Sequence, residues 1–175
     1  MIEDYKGQSP SIDKTAYIAS KAVVIGKVRI GRDCSIWPMA SVRGDVNYIE
    51  IGEYSNIQDC CVLHVTHDGI YSPGGQPLII KDYVTVGHSV TLHACTIKSY
   101  SLIGIGSIVL DKAVVNERVL VGAGSLVPPG KVLDSEHLYL GSPVKKIRKL
   151  TKLELDFFEY SAKHYVKLKN DYIGS

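Results

Sequence analysis

Three histidines, His64, His88 and His93, carry the side chains in this sequence best suited to holding a metal ion. A neutral imidazole is the commonest metal ligand, and its charge changes near physiological pH. His67 lies three residues beyond His64, and Arg43 and Asp45 form a potential ion pair upstream. Whether any of these can meet depends on the elements that carry them. A solitary surface histidine is more often solvated, so the spacing must supply the evidence.

The spacing is supplied by a six-residue repeat. Ile, Val or Leu recurs at 12, 18, 24, 30, 36 and 42, then at 51, 57 and 63, at 80, 86 and 92, and from 97 to 127 in steps of six. The residue four after each anchor is small or β-branched throughout, except at His67 and Lys131. A hexapeptide with one apolar anchor cannot bury it alone and must stack on its neighbours, which is the logic of a β-solenoid. Three repeats make one three-sided coil, so residues three repeats apart stack at roughly 4.8 Å. The eighteen anchors give about six coils. Two insertions interrupt the frame, three residues between Val42 and Ile51 and eleven between Leu63 and Ile80, and the step from Leu92 to Ile97 is one residue short.

Counted by repeats, Arg43, His64 and His93 each follow an anchor one full coil apart, forming an outward column on one face. Two imidazoles at that spacing can each place a nitrogen roughly 2.0–2.1 Å from one zinc ion. Gln58 and His88 follow Ile57 and Val86 and fall on a different face. A solid prism separates the faces, so a third ligand from the same chain is not expected to reach, and a neighbouring subunit could supply it, most simply in a closed trimer. His67 falls at an inward phase, which predicts an interior histidine or a distorted corner. His137 and His164 share no repeat phase and are expected to be structural or surface residues.

The segments VRGDV (42–46), SNIQD (55–59), VLHVTH (62–67), VGHSVTLHACTI (86–97) and YLGSPVKKIR (139–148) resemble the motifs of gamma-class carbonic anhydrases. The resemblance runs from about residue 8 to the end. It implies an all-β fold, a left-handed parallel β-helix of hexapeptide repeats with a C-terminal α-helix, assembled as a homotrimer. It implies that His64 and His93 of one subunit, with His88 of the next, hold Zn2+, or alternatively Fe2+. Arg43 and Asp45 would form an intersubunit salt bridge. Asn56 and Gln58 would orient bicarbonate or the hydroxide, and Tyr139 would help orient the substrate. The implied reaction is reversible hydration of CO2 to bicarbonate by a metal-bound hydroxide. Two positions depart from the archaeal members of the family: Val46 and His67 stand where those carry acidic residues. His67 is then the candidate proton shuttle.

Other readings belong to different classes: a metal-dependent acyl-CoA thioesterase, a non-catalytic trimeric scaffold binding metal or bicarbonate, and a hexapeptide acyltransferase using one histidine as base. The net charge of +2 argues against nucleic-acid binding. No apolar run approaches a membrane span. The opening MIEDYKGQSP lacks the pattern of a signal peptide, which predicts a cytoplasmic protein. Cys34 and Cys61 fall at inward positions, whereas Cys60 and Cys95 fall at an intermediate phase that allows exposure. The β-helix and a return segment over 131–150 make up residues 1–150. Residues 151–175 read as a helix with Thr151 and Glu154 as a capping box and Leu153, Phe157, Tyr160, His164 or Tyr165, and Leu168 as its packing face.

Overall fold

The computed structural model describes residues 1–174 and forms a left-handed parallel β-helix closed by one helix, Lys152–Ile173. Short strands repeat along three flat sides. One side is an eight-stranded sheet running from Tyr17–Ile18 through Asn56–Ile57 and Thr85–Val86 to His137–Leu140, ending in Lys145–Lys149. The other two sides belong to a twelve-stranded sheet that the long strand Ser41–Ile51 joins across a corner. Every pairing between successive coils is parallel, and only Lys145–Lys149 runs antiparallel, against His137–Leu140.

The anchors make the core. From Val24 to Leu133 they fill the prism as one cluster with Cys34, Ala40, Cys61, Val84 and Val119. Burying each aliphatic side chain contributes roughly 1.5–3 kcal/mol, and no coil could gain this alone. Corners are turned by residues in the left-handed region, among them Tyr54, Tyr83 and Tyr100 at φ 57°, 58° and 56°. Their rings stack at centroid separations of 4.8 Å, a direct readout of the coil rise.

Several expectations need correction. Leu133, Tyr139 and Val144 continue the anchors beyond Val127, so the solenoid runs a coil past the eighteen anchors. Residues 131–150 are therefore mostly solenoid, with a return confined to Lys145–Lys149. The three-residue insertion moves the inward position from Val46, which is exposed, to Ile49, which pairs with Val28 in the core. The short step after Leu92 moves Cys95 inward, where it is fully buried. Cys60 alone of the four cysteines is exposed.

The helix docks by an unexpected face. Its capping box forms as expected, with Thr151 and Glu154 satisfying each other's backbone amides. Yet Leu153, Phe157 and Tyr160 point to solvent, and Phe158, Ser161, Ala162 and Lys169 are buried. The wall they meet mixes polar and aromatic groups: Ser161 bonds Thr85, Lys169 pairs with Asp33 at 3.0 Å, and Tyr165 packs edge-on against Trp37. Among the described residues no helix is long and apolar enough to cross a membrane.

Candidate metal centre

Strand pairing places the histidine column. Leu63 pairs with Leu92 and His64 with His93, so the eleven-residue insertion loops out without shifting the register. The rings lie with centroids 5.3 Å apart, and His64 Nδ1 is 3.2 Å from His93 Nε2. The outer nitrogen of each ring faces a carboxylate. His64 Nε2 lies 3.0 Å from Asp45 Oδ1, and His93 Nδ1 lies 2.8 Å from Asp111 Oδ2. An ionised carboxylate only accepts, so the outer nitrogen of each imidazole donates to it. The inner nitrogens then face each other across 3.2 Å, where a shared proton or a bound cation satisfies both.

These donors fit a metal. Two nitrogens bound to one tetrahedral zinc at roughly 2.0–2.1 Å lie about 3.3 Å apart, close to the observed separation. Carboxylates on the far nitrogens complete the pattern typical of ligating histidines, since they fix the tautomer and raise ligand basicity. Burial pushes the Asp45 carboxyl up, but hydrogen bonds from His64 and Arg43 outweigh it and hold the group below its ordinary value. Asp111 behaves alike, with Thr66 and His93 overcoming the effect of burial. Both are charged at neutral pH. Among the described residues, no group of three or more His, Cys, Asp or Glu side chains is placed to hold a metal ion within the chain.

Asp45 is held in place by the backbone around Gly44. A Cβ on Gly44 would come 2.6 Å from the Lys27 carbonyl oxygen, so only glycine lets the coils approach at this corner. Within the chain Arg43 Nη1 donates to Asp45 Oδ2. The two side chains thus pair with each other here, and Asp45 bridges Arg43 to His64.

His88 stands in the turn after strand Thr85–Val86 with its side chain 46% exposed, and its Nδ1 is 2.9 Å from Asp59 Oδ2. Beside it runs a buried polar chain. Gln58 Nε2 donates to Asn56 Oδ1 at 3.1 Å, Asn56 Nδ2 donates to Thr85 Oγ1 at 3.0 Å, and Thr85 meets Ser161 of the helix. No buried side-chain polar atom among the described residues lacks a partner. Asn56 and Gln58 therefore accompany His88, not the His64–His93 pair.

Two candidates sit differently from expectation. His67 is exposed, because the long insertion begins before it and Val65 turns inward instead. It lines a cavity of about 490 Å³ with Thr66, Tyr71 and Asp111. Tyr139 is a core residue, 2% exposed at an anchor position, and its hydroxyl accepts from the Asp134 amide at 2.9 Å. It takes no part in the histidine column. His137 bonds the Ser135 carbonyl and His164 stacks on Tyr160, as befits structural residues. The sequence reading missed Asp59 and Asp111. Asp59 was open to detection, because it stands two after Ile57 as His88 stands two after Val86.

No protein-family model matches the chain. Protein YrdA of Escherichia coli is 50% identical over 173 residues, covering 99% of this chain and 94% of that protein. The carbonic anhydrase of Geobacillus kaustophilus is 45% identical over 167 residues, 95% of this chain and 88% of its relative. The crystal structure of a hexapeptide transferase family protein from Anaplasma phagocytophilum matches with a TM-score of 0.90 at 42% identity, over 98% of this chain and 97% of that one. With these relatives beside the histidine pair and its solenoid, the chain belongs to the gamma carbonic anhydrase-like family of hexapeptide-repeat proteins.

Proposed function

We propose that this protein is a metal-dependent carbonic anhydrase, interconverting CO2 and bicarbonate at a site shared between subunits of a homotrimer. The observation that carries the reading is the pair of facing nitrogens, His64 Nδ1 and His93 Nε2, each backed by a carboxylate. His88, on a separate face of the same chain, is the third ligand contributed by a neighbour. Three neutral nitrogens suit Zn2+, and Fe2+ is the alternative. When bound, the ion supplies Lewis acidity that makes water a nucleophile near neutral pH.

The chain's own residues do the rest. Asp45, Asp111 and Asp59 orient His64, His93 and His88 through their outer nitrogens. Gln58, whose amide nitrogen is committed to Asn56, presents its carbonyl oxygen on the His88 face, where it accepts a hydrogen bond from a protonated substrate oxygen. Arg43, which pairs with Asp45 of its own chain and stays partly exposed beside the site, reaches the neighbouring subunit there. His67, exposed at the mouth of the long loop, passes protons to solvent. The reaction takes place in the cytoplasm.

Stopped-flow CO2 hydration by zinc-loaded trimer tests the reading. Hydration should exceed the buffer rate and be lost in His64→Ala, His88→Ala and His93→Ala, with His137→Ala and His164→Ala unaffected. A fully metallated protein that does not hydrate CO2 would refute it and leave a binding scaffold or a thioesterase.

A further inference from the structure

Asp111 joins three parts of the molecule. It lies one coil beyond His93, and its Oδ2 accepts from His93 Nδ1 at 2.8 Å. Its other oxygen accepts from the hydroxyl of Thr66, two residues past His64. Thr66 is also the base of the long loop. Its amide and carbonyl pair with Gln76 at 3.0 and 2.9 Å, and its carbonyl accepts again from Asn47 Nδ2 at 3.1 Å. Gly75 presses on this point, where a Cβ would come 2.6 Å from the Thr66 carbonyl oxygen.

A carboxylate bonded through one oxygen can still rotate about its Cβ–Cγ bond and let the imidazole swing or change tautomer. A second donor on the other oxygen removes that freedom. We infer that Asp111, clamped by the Thr66 hydroxyl, is a positioning residue of the metal centre, and that the closed 66–76 loop acts on His93 through it. The inference rests on the reading that His64 and His93 hold a metal. Its chemistry is specific. Asp111 sets Nε2 of His93 toward His64, and Thr66, itself fixed by its pairing with Gln76, holds Asp111 there.

Zinc affinity of the intact trimer, measured by competition with a chromophoric chelator, reads this directly without recourse to turnover. Asp111→Ala should weaken binding about 10–100-fold, the usual cost of losing a carboxylate behind a ligating histidine. Thr66→Val keeps the side-chain shape but removes the donor, so it should weaken binding in the same direction by less. Thr66→Ser, which restores the hydroxyl, should bind as wild type does. Light scattering on each variant confirms that the trimer persists. Wild-type affinity in Thr66→Val overturns the inference, even if Asp111→Ala binds weakly. His93→Ala separates the two levels: if it too binds as wild type, the metal assignment itself has failed. Loss in His93→Ala with no change in Asp111→Ala refutes the positioning role alone.

Discussion

Replacing Asn56 with alanine should destabilise each chain by about 2–4 kcal/mol. Asn56 is 1% exposed and sits in the middle of the polar chain beneath the helix. Its Oδ1 is the acceptor for Gln58 Nε2, and its Nδ2 is a donor to Thr85 Oγ1. Truncation strands the buried Gln58 donor, costing about 1–3 kcal/mol, and removes a further hydrogen bond worth about 1 kcal/mol. Ser161→Ala is the internal comparison. Thr85 Oγ1 would keep the Asn56 donor and lose only its contact with the helix, so about 1 kcal/mol is expected. Urea unfolding at one fixed protein concentration measures both, since assembly makes apparent stability depend on concentration. If Asn56→Ala falls within about 0.5 kcal/mol of Ser161→Ala, the bonds do not hold this face and Gln58 must be fixed by something else.

Burial pushes the Cys34 and Cys61 thiols up to about 12 and raises Cys95 further, whereas Cys60 is exposed. Iodoacetamide at about pH 8 should therefore modify one thiol per native chain and all four after denaturation; a second native adduct would contradict the inward placement. Asp33→Ala should destabilise more than Lys169→Met, because it leaves a buried ammonium with only the neutral Asn170 Oδ1 as partner, whereas the Asp33 carboxylate left by the reverse change is partly exposed. Equal losses in urea would contradict this. Hydrogen bonds from Arg148 and the Thr151 amide hold the Glu154 carboxyl down at about 2. Its folded value is depressed, so its contribution is present above the unfolded value near 4.5 and is lost as pH falls toward 2. The protection factors of the Thr151–Glu154 amides, taken against intrinsic exchange at each pH, should fall over that window, and Glu154→Gln should abolish the step.

Much of this was legible because a solenoid pairs by repeat count. His64 and His93 lie 29 positions apart in sequence, yet counting repeats across the loop puts them side by side. The same counting aligns His88 with Gln58's coil. Legibility failed where the count was locally disturbed, at Val46, His67 and Cys95, since an added or missing residue changes which neighbour turns inward. It failed differently on the helix. Of the face chosen by hydrophobic periodicity, Tyr165 packs on Trp37 but Leu153, Phe157 and Tyr160 are exposed, and Thr85 and Asp33 on the wall take up Ser161 and Lys169 instead. Tyr139 matched a motif while occupying an anchor position, and the anchor position decides its place.

Mixed trimers test the shared site most directly. His64→Ala chains keep His88, and His88→Ala chains keep the His64–His93 pair, so neither variant alone should retain zinc. Co-expressed with separate tags, they should assemble at random into particles three times the 19.2 kDa chain. About three quarters of those trimers contain both chains, and each has one complete site of three, so zinc should return to about one quarter of the wild-type level. Full zinc in His88→Ala alone, or no recovery in the mixture, would contradict a site built across the subunit boundary.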